Sequence, residues 1–234
     1  EVTCVVELKA RFEEEANINW AERLDAVGAQ VVYGVVGLKT HAKLLLVTRR
    51  EGARLRRYAH LGTGNYNPKT ARMYTDLGYC PADPEITSDV DAVFQQIASL
   101  GRAKPKRALL QSPFTLHNRM LAYIRRVRVA ATAGRDARII VKLNALTDVP
   151  LIEALVDAAR AGARVDLLVR GACTLPGAIP GVADRIRVRS VVGRFLEHSR
   201  IIYFRWGSGA GAEAMYLSSA DWMGRNMFGR IEVA

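Results

Sequence analysis

The chain has 234 residues and a formal net charge of +11, from 34 Lys and Arg against 23 Asp and Glu. Half of its residues are hydrophobic and 24% are charged, which excludes a disordered tail and allows one large domain or two ordinary ones. No apolar run approaches the roughly 20 residues that span a bilayer, and three scattered cysteines (Cys4, Cys80, Cys173) exclude a disulfide frame or zinc site and suit a reducing cytoplasm. The start carries no signal-peptide pattern, and a chain opening in a strand-like segment and closing on Ile231–Ala234 reads as a piece of a longer protein. The basic excess lies mostly beyond residue 100 and favours a polyanionic partner: nucleic acid, phospholipid or polyphosphate.

In chain order, Val5–Arg11 reads as a strand running into Glu13-Glu14-Glu15, a helix N-terminal charge cluster rather than a metal site. A helix is expected over Asn19–Val27, ending at Gly28-Ala29, and an apolar strand over Val31–Val36. Gly37-Leu-Lys-Thr-His41-Ala-Lys43 then opens the strand Leu44–Val47, and Leu61-Gly-Thr-Gly-Asn65-Tyr-Asn67 forms a short strand with a polar tail. A joint is expected at Ala98–Gln111, followed by Ser112 as helix N-cap, Pro113 as first helical residue and a helix over Phe114–Ala131.

The same landmarks then return: strand Ile139–Leu143, helix Pro150–Ala161, Gly162-Ala163, strand Val165–Val169. Gly193-Arg-Phe-Leu-Glu-His198-Ser-Arg200 opens Ile201–Phe204, and Leu217-Ser-Ser-Ala-Asp221 supplies the second tail. Leu8 and Leu143 are 135 apart and the histidines 157 apart, so copy two holds an insertion, which the Pro- and Gly-rich Cys173–Arg189 fits as a loop. The expectation is an α/β fold of two tandem units, 1–108 and 109–234, each a mixed β-sheet flanked by helices. Val31–Val36, Leu44–Val47 and Ile139–Leu143 are read as strands buried on both faces.

A strand has period two, so His41 and Lys43 share a face, as do His198 and Arg200. Histidine beside a cation suits anion chemistry, above all phosphate. A neutral imidazole can attack phosphorus and hold it as a phosphoramidate while the cation offsets oxygen charge. Only one of two equivalent imidazoles attacks; Lys43, Asn65 and Asn67 favour His41, leaving His198 as acid or base. Leu61–Thr70 offers backbone N–H groups to phosphate or is an ordinary strand-to-helix turn. Arg11 and Arg170 end equivalent strands, where phosphate ligands are usual, and Asn144 follows the strand Ile139–Leu143. Tyr74 is a core aromatic or a stacking platform; His60 and His117 are read as structural.

The repeated His-x-Lys phrase resembles the phospholipase D superfamily, whose motif is H-x-K-x4-D. Here Thr48 and Arg205 stand where the aspartates belong, and Arg200 replaces the second lysine, which argues against an ordinary phosphodiesterase. The longer phrases are similar to bacterial polyphosphate kinases of the histidine-phosphorylated type: Glu7–Phe12, Tyr33–Lys43, His60–Asn67, Val169–Gly171, Arg187–Arg200 and Leu217–Met223. That resemblance implies two phospholipase-D-like catalytic domains and reversible transfer of the ATP γ-phosphate to polyphosphate. It implies His41 as the phosphorylated histidine, His198 as its partner, and Tyr74, Arg170 and His198 as ATP contacts. Lys43, Asn65, Asn67, Asn144 and Arg200 would bind phosphate, and Arg11 falls on the magnesium–phosphate position. ATP, ADP, polyphosphate and Mg2+ are the implied ligands, with a homo-oligomer in the longer protein, peripheral membrane association an open option and no nucleic acid. The alternatives are a phospholipase-D-type phosphodiesterase or phosphatidyltransferase, and a basic nucleic-acid-binding module.

Overall fold

The computed structural model describes residues 1–7, 14–99, 106–177, 179–182 and 184–234. Copy one runs β1 (Thr3–Val5), α1 (Glu14–Ala26), β2 (Gln30–Val32), β3 (Lys39–Thr40), β4 (Lys43–Glu51), β5 (Arg54–Gly62), α2 (Pro68–Ala71), β6 (Tyr74–Thr75), β7 (Gly78–Tyr79) and α3 (Pro84–Ser99). Copy two runs β8 (Gln111–Ser112), α4 (Leu116–Thr132), β9 (Ala137–Leu143), α5 (Val149–Arg160), β10 (Arg164–Val169), β11 (Ile186–Arg189), β12 (Leu196–Glu197), β13 (Arg200–Trp206), β14 (Glu213–Ser218), α6 (Gly224–Phe228) and β15 (Arg230–Val233). The α/β fold of two tandem units with mixed sheets follows the expected order. Among the described residues no helix is long and apolar enough to cross a membrane.

Copy two holds the main core. Its sheet has the order β11-β10-β9-β13-β14, with β9, β10 and β11 parallel and β13 antiparallel to both neighbours. The α4 residues Leu116, Met120, Ile124, Val127 and Ala130 recur at helical spacing and are buried, as are Leu151, Leu155 and Ala158 of α5. Both stripes lie over one sheet face, where Ile139, Val141, Leu143, Val165, Leu167, Ile202 and Phe204 sit with almost no solvent contact. Each such side chain contributes about 1.5–3 kcal/mol by leaving water. Asp148 starts α5, its Oδ1 accepting from Leu151 N at 3.1 Å.

Three expectations need correction. Ser112 is no N-cap: it lies buried in β8, its hydroxyl donating to the Asn226 and Met227 carbonyls at 2.5 and 2.8 Å, and α4 begins three residues after Pro113 with Thr115 at its N-cap position. The apolar strands are not buried on both faces. Leu45 and Val47 are about half exposed and Ile140 on β9 is half-buried, because helices cover only one side of these sheets, and Val36, 94% exposed, lies in a turn beyond the end of β2. The end of the supposed loop Cys173–Arg189 is ordered as β11, pairing in parallel with β10. The middle of the joint, 100–105, lies outside the described residues.

The copies are stitched by exchange. The short strand before His41, β3, pairs in parallel with β15 of copy two. The short strand before His198, β12, pairs in parallel with β6 of copy one. Two-residue strands carry little stability of their own, so each depends on its partner copy.

Candidate active site

The exchanged strands fix both histidines by the same device. N–H groups of His41 and Ala42 both donate to the Ile231 carbonyl, at 3.0 and 2.9 Å, and those of His198 and Ser199 both donate to the Thr75 carbonyl, at 3.2 and 2.9 Å. The register pairs Thr40 with Ile231 and Glu197 with Thr75, so the next residue of each partner strand, Glu232 or Asp76, comes beside a histidine. His41 Nδ1 lies 2.9 Å from Glu232 Oε2, and His198 Nδ1 lies 2.8 Å from Asp76 Oδ1. A carboxylate accepts, so each Nδ1 carries the proton and each Nε2 its lone pair. Each imidazole is therefore oriented by a carboxylate of the opposite copy.

The carboxylates are themselves held. Glu232 is fully buried and also accepts from Ser219 Oγ at 2.5 Å and Asn226 Nδ2 at 2.7 Å. Asp76 accepts from Thr63 Oγ1 at 2.6 Å. A Cβ on Gly64 would overlap the Asp76 carboxylate, so the Gly-Thr-Gly tail serves close approach here. Burial lowers the His41 pKa below its ordinary 6.5, with the Glu232 hydrogen bond opposing, so the ring is neutral at pH 7. Burial also lowers His198, helped by the Arg200 guanidinium and opposed by Asp76.

The two cations differ. Lys43 is 7% exposed, and its Nζ has no hydrogen-bond partner among the described residues. Burial pushes its pKa down to about 7. Arg200 is equally buried but compensated: Nη2 and Nε donate to Asp221 Oδ2 and Oδ1 at 3.0 and 3.3 Å. Its Nη1 donates to the Thr63 and His198 carbonyls at 3.2 and 3.0 Å and lies 3.3 Å from His198 Nε2. Asp221 also accepts from the N–H groups of Asn144 and Ala145, at 2.7 and 3.3 Å. Burial raises the Asp221 carboxyl, but Arg200 and these N–H groups outweigh it and hold the carboxyl below its ordinary 3.8. The matching place in the first tail is Asn65, which has no charge with which to neutralise Lys43.

Other expected residues take defined places. Tyr74 packs its ring 4.9 Å from that of His198. Asn144 Nδ2 donates to the His198 carbonyl at 3.1 Å, and its Oδ1 accepts from Arg170 Nε at 3.1 Å. Asn67 caps α2, its Oδ1 accepting from Lys69 N and Thr70 N. His60 meets the Tyr66 hydroxyl at 2.7 Å, and His117 meets Asp148 at 3.0 Å, tying α4 to the start of α5. Arg11 lies outside the described residues. Asp76 and Glu232 were missed, yet a signal was present: each stands eleven residues after its tail position, Asn65 or Asp221. Among the described residues no group of three or more His, Cys, Asp or Glu could hold a metal. Asp76, Glu232 and Asp221 are all engaged as acceptors, so these residues do not fit a resident magnesium ion.

The paired histidines therefore sit at the seam of the two units. Residues 1–104 match the family model described as polyphosphate kinase C-terminal domain 1, and residues 109–234 match polyphosphate kinase C-terminal domain 2. The whole chain aligns at 58% identity with a polyphosphate kinase of Burkholderia vietnamiensis and at 55% with that of Paraburkholderia phytofirmans, covering 34% of each. The crystal structure of polyphosphate kinase from Porphyromonas gingivalis superposes with a TM-score of 0.87 at 37% identity, over all of this chain and 35% of that one. A yeast tyrosyl-DNA phosphodiesterase mutant superposes over all of this chain and 75% of that one, with a TM-score of 0.56 at 8% identity, a likeness of fold alone. The chain spans about a third of the length of the curated relatives it matches. With the two C-terminal domain models matching residues 1–104 and 109–234, the chain belongs to the polyphosphate kinase family.

Proposed function

We propose that this chain forms the phosphoryl-transfer centre of an ATP:polyphosphate phosphotransferase working through a phosphohistidine at His41. The observation that carries the assignment is the asymmetry around two similarly held imidazoles. Among the described residues nothing hydrogen-bonds to Nε2 of His41, and the adjacent Lys43 is uncompensated. Nε2 of His198 faces Arg200, whose charge is spent on Asp221. Lys43 is therefore the cation left for an incoming anion beside His41.

In the first step the Nε2 lone pair of His41 attacks the γ-phosphorus of ATP, forming the P–N bond as the bond to the β,γ-bridging oxygen breaks. ADP leaves with that electron pair. Glu232 accepts from Nδ1–H throughout and stabilises the cationic ring. Lys43, in its protonated form, offsets charge on the equatorial oxygens without reorganisation in a water-poor site. In the second step a terminal oxygen of polyphosphate attacks phosphorus and the P–N bond breaks, returning the electron pair to Nε2. His198, its tautomer fixed by Asp76, would supply a proton to or take one from the leaving or entering oxygen. Tyr74 offers a ring and Arg170 a guanidinium to the nucleotide. Magnesium, on this reading, arrives with the nucleotide phosphates as part of the substrate.

Labelling with [γ-32P]ATP tests the assignment, using a chain extended to the relatives' full length. Wild type should acquire acid-labile, alkali-stable label, and His41→Ala should acquire none. Undiminished label in His41→Ala would refute the role of His41.

A further inference from the structure

The parallel strands β9, β10 and β11 end together on Asn144, Arg170 and Ser190. Ser190 Oγ donates to the Arg170 carbonyl at 3.3 Å, Arg170 Nε donates to Asn144 at 3.1 Å, and Asn144 donates to the His198 carbonyl at 3.1 Å. A continuous run of contacts thus joins the edge strand β11 to the histidine pair. β11 reads Ile186-Arg187-Val188-Arg189. Its register sets Arg187 beside Asp166 and Arg189 beside Leu168, on the sheet face that also carries Lys142 and is not covered by α4 and α5.

Both arginines are exposed. Asp166, the acidic neighbour of Arg187, is already bonded to Arg138 at 3.1 and 2.8 Å. Arg185 is held by Asp184 and the Gly162 carbonyl, but among the described residues neither Arg187 nor Arg189 has an ion-pair partner. Charge on an edge strand discourages sheet-to-sheet pairing wherever it is placed. Here the two unpaired guanidinium groups also share one face, about 6.6 Å apart along the strand, and that face leads to Arg170. β11 lies two strand spacings, about 10 Å, from β9 and Asn144, beyond the histidines themselves.

We propose that Arg187 and Arg189 bind the body of the polyphosphate chain as it leaves the histidine site. Chains long enough to reach β11 are then held more tightly than short ones. The choice of polyanion rests on the phosphotransferase reading, but the test below reads binding alone.

The affinity of this chain for tripolyphosphate and for long-chain polyphosphate is measured over a range of salt concentrations. Wild type should prefer the long chain. Arg187→Gln with Arg189→Gln should weaken long-chain binding roughly two- to thirty-fold, the range for losing two exposed ion pairs, and leave tripolyphosphate unchanged. The salt slope for the long chain should fall by up to about two. Arg187→Lys with Arg189→Lys should retain most of the preference. Absence of a length preference in wild type, or equal weakening of both ligands in the glutamine variant, would overturn the proposal. Failure of His41 labelling together with an intact, arginine-dependent length preference would sink the phosphotransferase reading and leave the track standing.

Discussion

Lys43 makes proton binding a direct report on phosphate binding. With its pKa at about 7, roughly a tenth of Lys43 ammonium groups remain charged at pH 8 in the empty site. A polyanion beside Nζ pushes the pKa back toward 10.5, so binding should take up close to one proton per site, about 0.9, at pH 8 and almost none at pH 5.5. Calorimetric titration of tripolyphosphate in two buffers of different ionisation enthalpy measures this uptake. In Lys43→Met it should vanish at pH 8. Stability provides a second reading. Below pH 7 both folded and unfolded Lys43 are charged and the burial penalty is complete; it fades as pH rises from about 7 to 10.5, where both forms become neutral. At about 1.4 kcal/mol per tenfold step in acidity the ceiling is about 5 kcal/mol. Lys43→Met should therefore gain a few kcal/mol in urea unfolding at pH 6, and the gain should shrink toward pH 10. Equal proton uptake by wild type and Lys43→Met at pH 8 would refute the claim that Lys43 is the uncompensated cation.

Glu232→Gln removes the negative charge that stabilises the cationic His41 ring and puts an NH2 donor where only acceptors stood; phosphohistidine formation should slow about 10- to 100-fold with little change in nucleotide affinity, read by single-turnover labelling. An unchanged rate would separate Glu232 from the chemistry. Because burial holds His41 below 6.5, the labelling rate at saturating ATP, where bound phosphates keep Lys43 protonated, should stay flat from pH 8 to 7 and decline only as the ring protonates at lower pH, which a rate–pH profile checks. Gly64→Ala forces a methyl group against Asp76 and should slow transfer to polyphosphate more than it changes Tm. Phe204→Ala, in the packed centre of copy two, should cost about 3–5 kcal/mol in denaturant unfolding without altering site residues.

The duplication, the α/β order and the two histidines were legible because each copy prints the same local phrases. Asp76 and Glu232 were not, for a physical reason. Asp76 follows a two-residue strand and Glu232 lies within a four-residue one, both too short for hydropathy to show period, and their function appears only when the copies are paired crosswise. The Leu44–Val47 run misled differently. Four apolar residues do not say which faces are covered, and Leu45 and Val47 remain half exposed whereas the corresponding Ile202 and Phe204 lie beneath α4. Ser112-Pro113 carried a helix-start signature, but burial gave the serine hydroxyl two carbonyl partners elsewhere and the helix began later.

The crosswise carboxylates also bear on motion. Since His41 takes its orientation from copy two and His198 from copy one, any hinge that widens the seam loosens both imidazoles together. The orientation of both imidazoles therefore stands or falls with the seam itself.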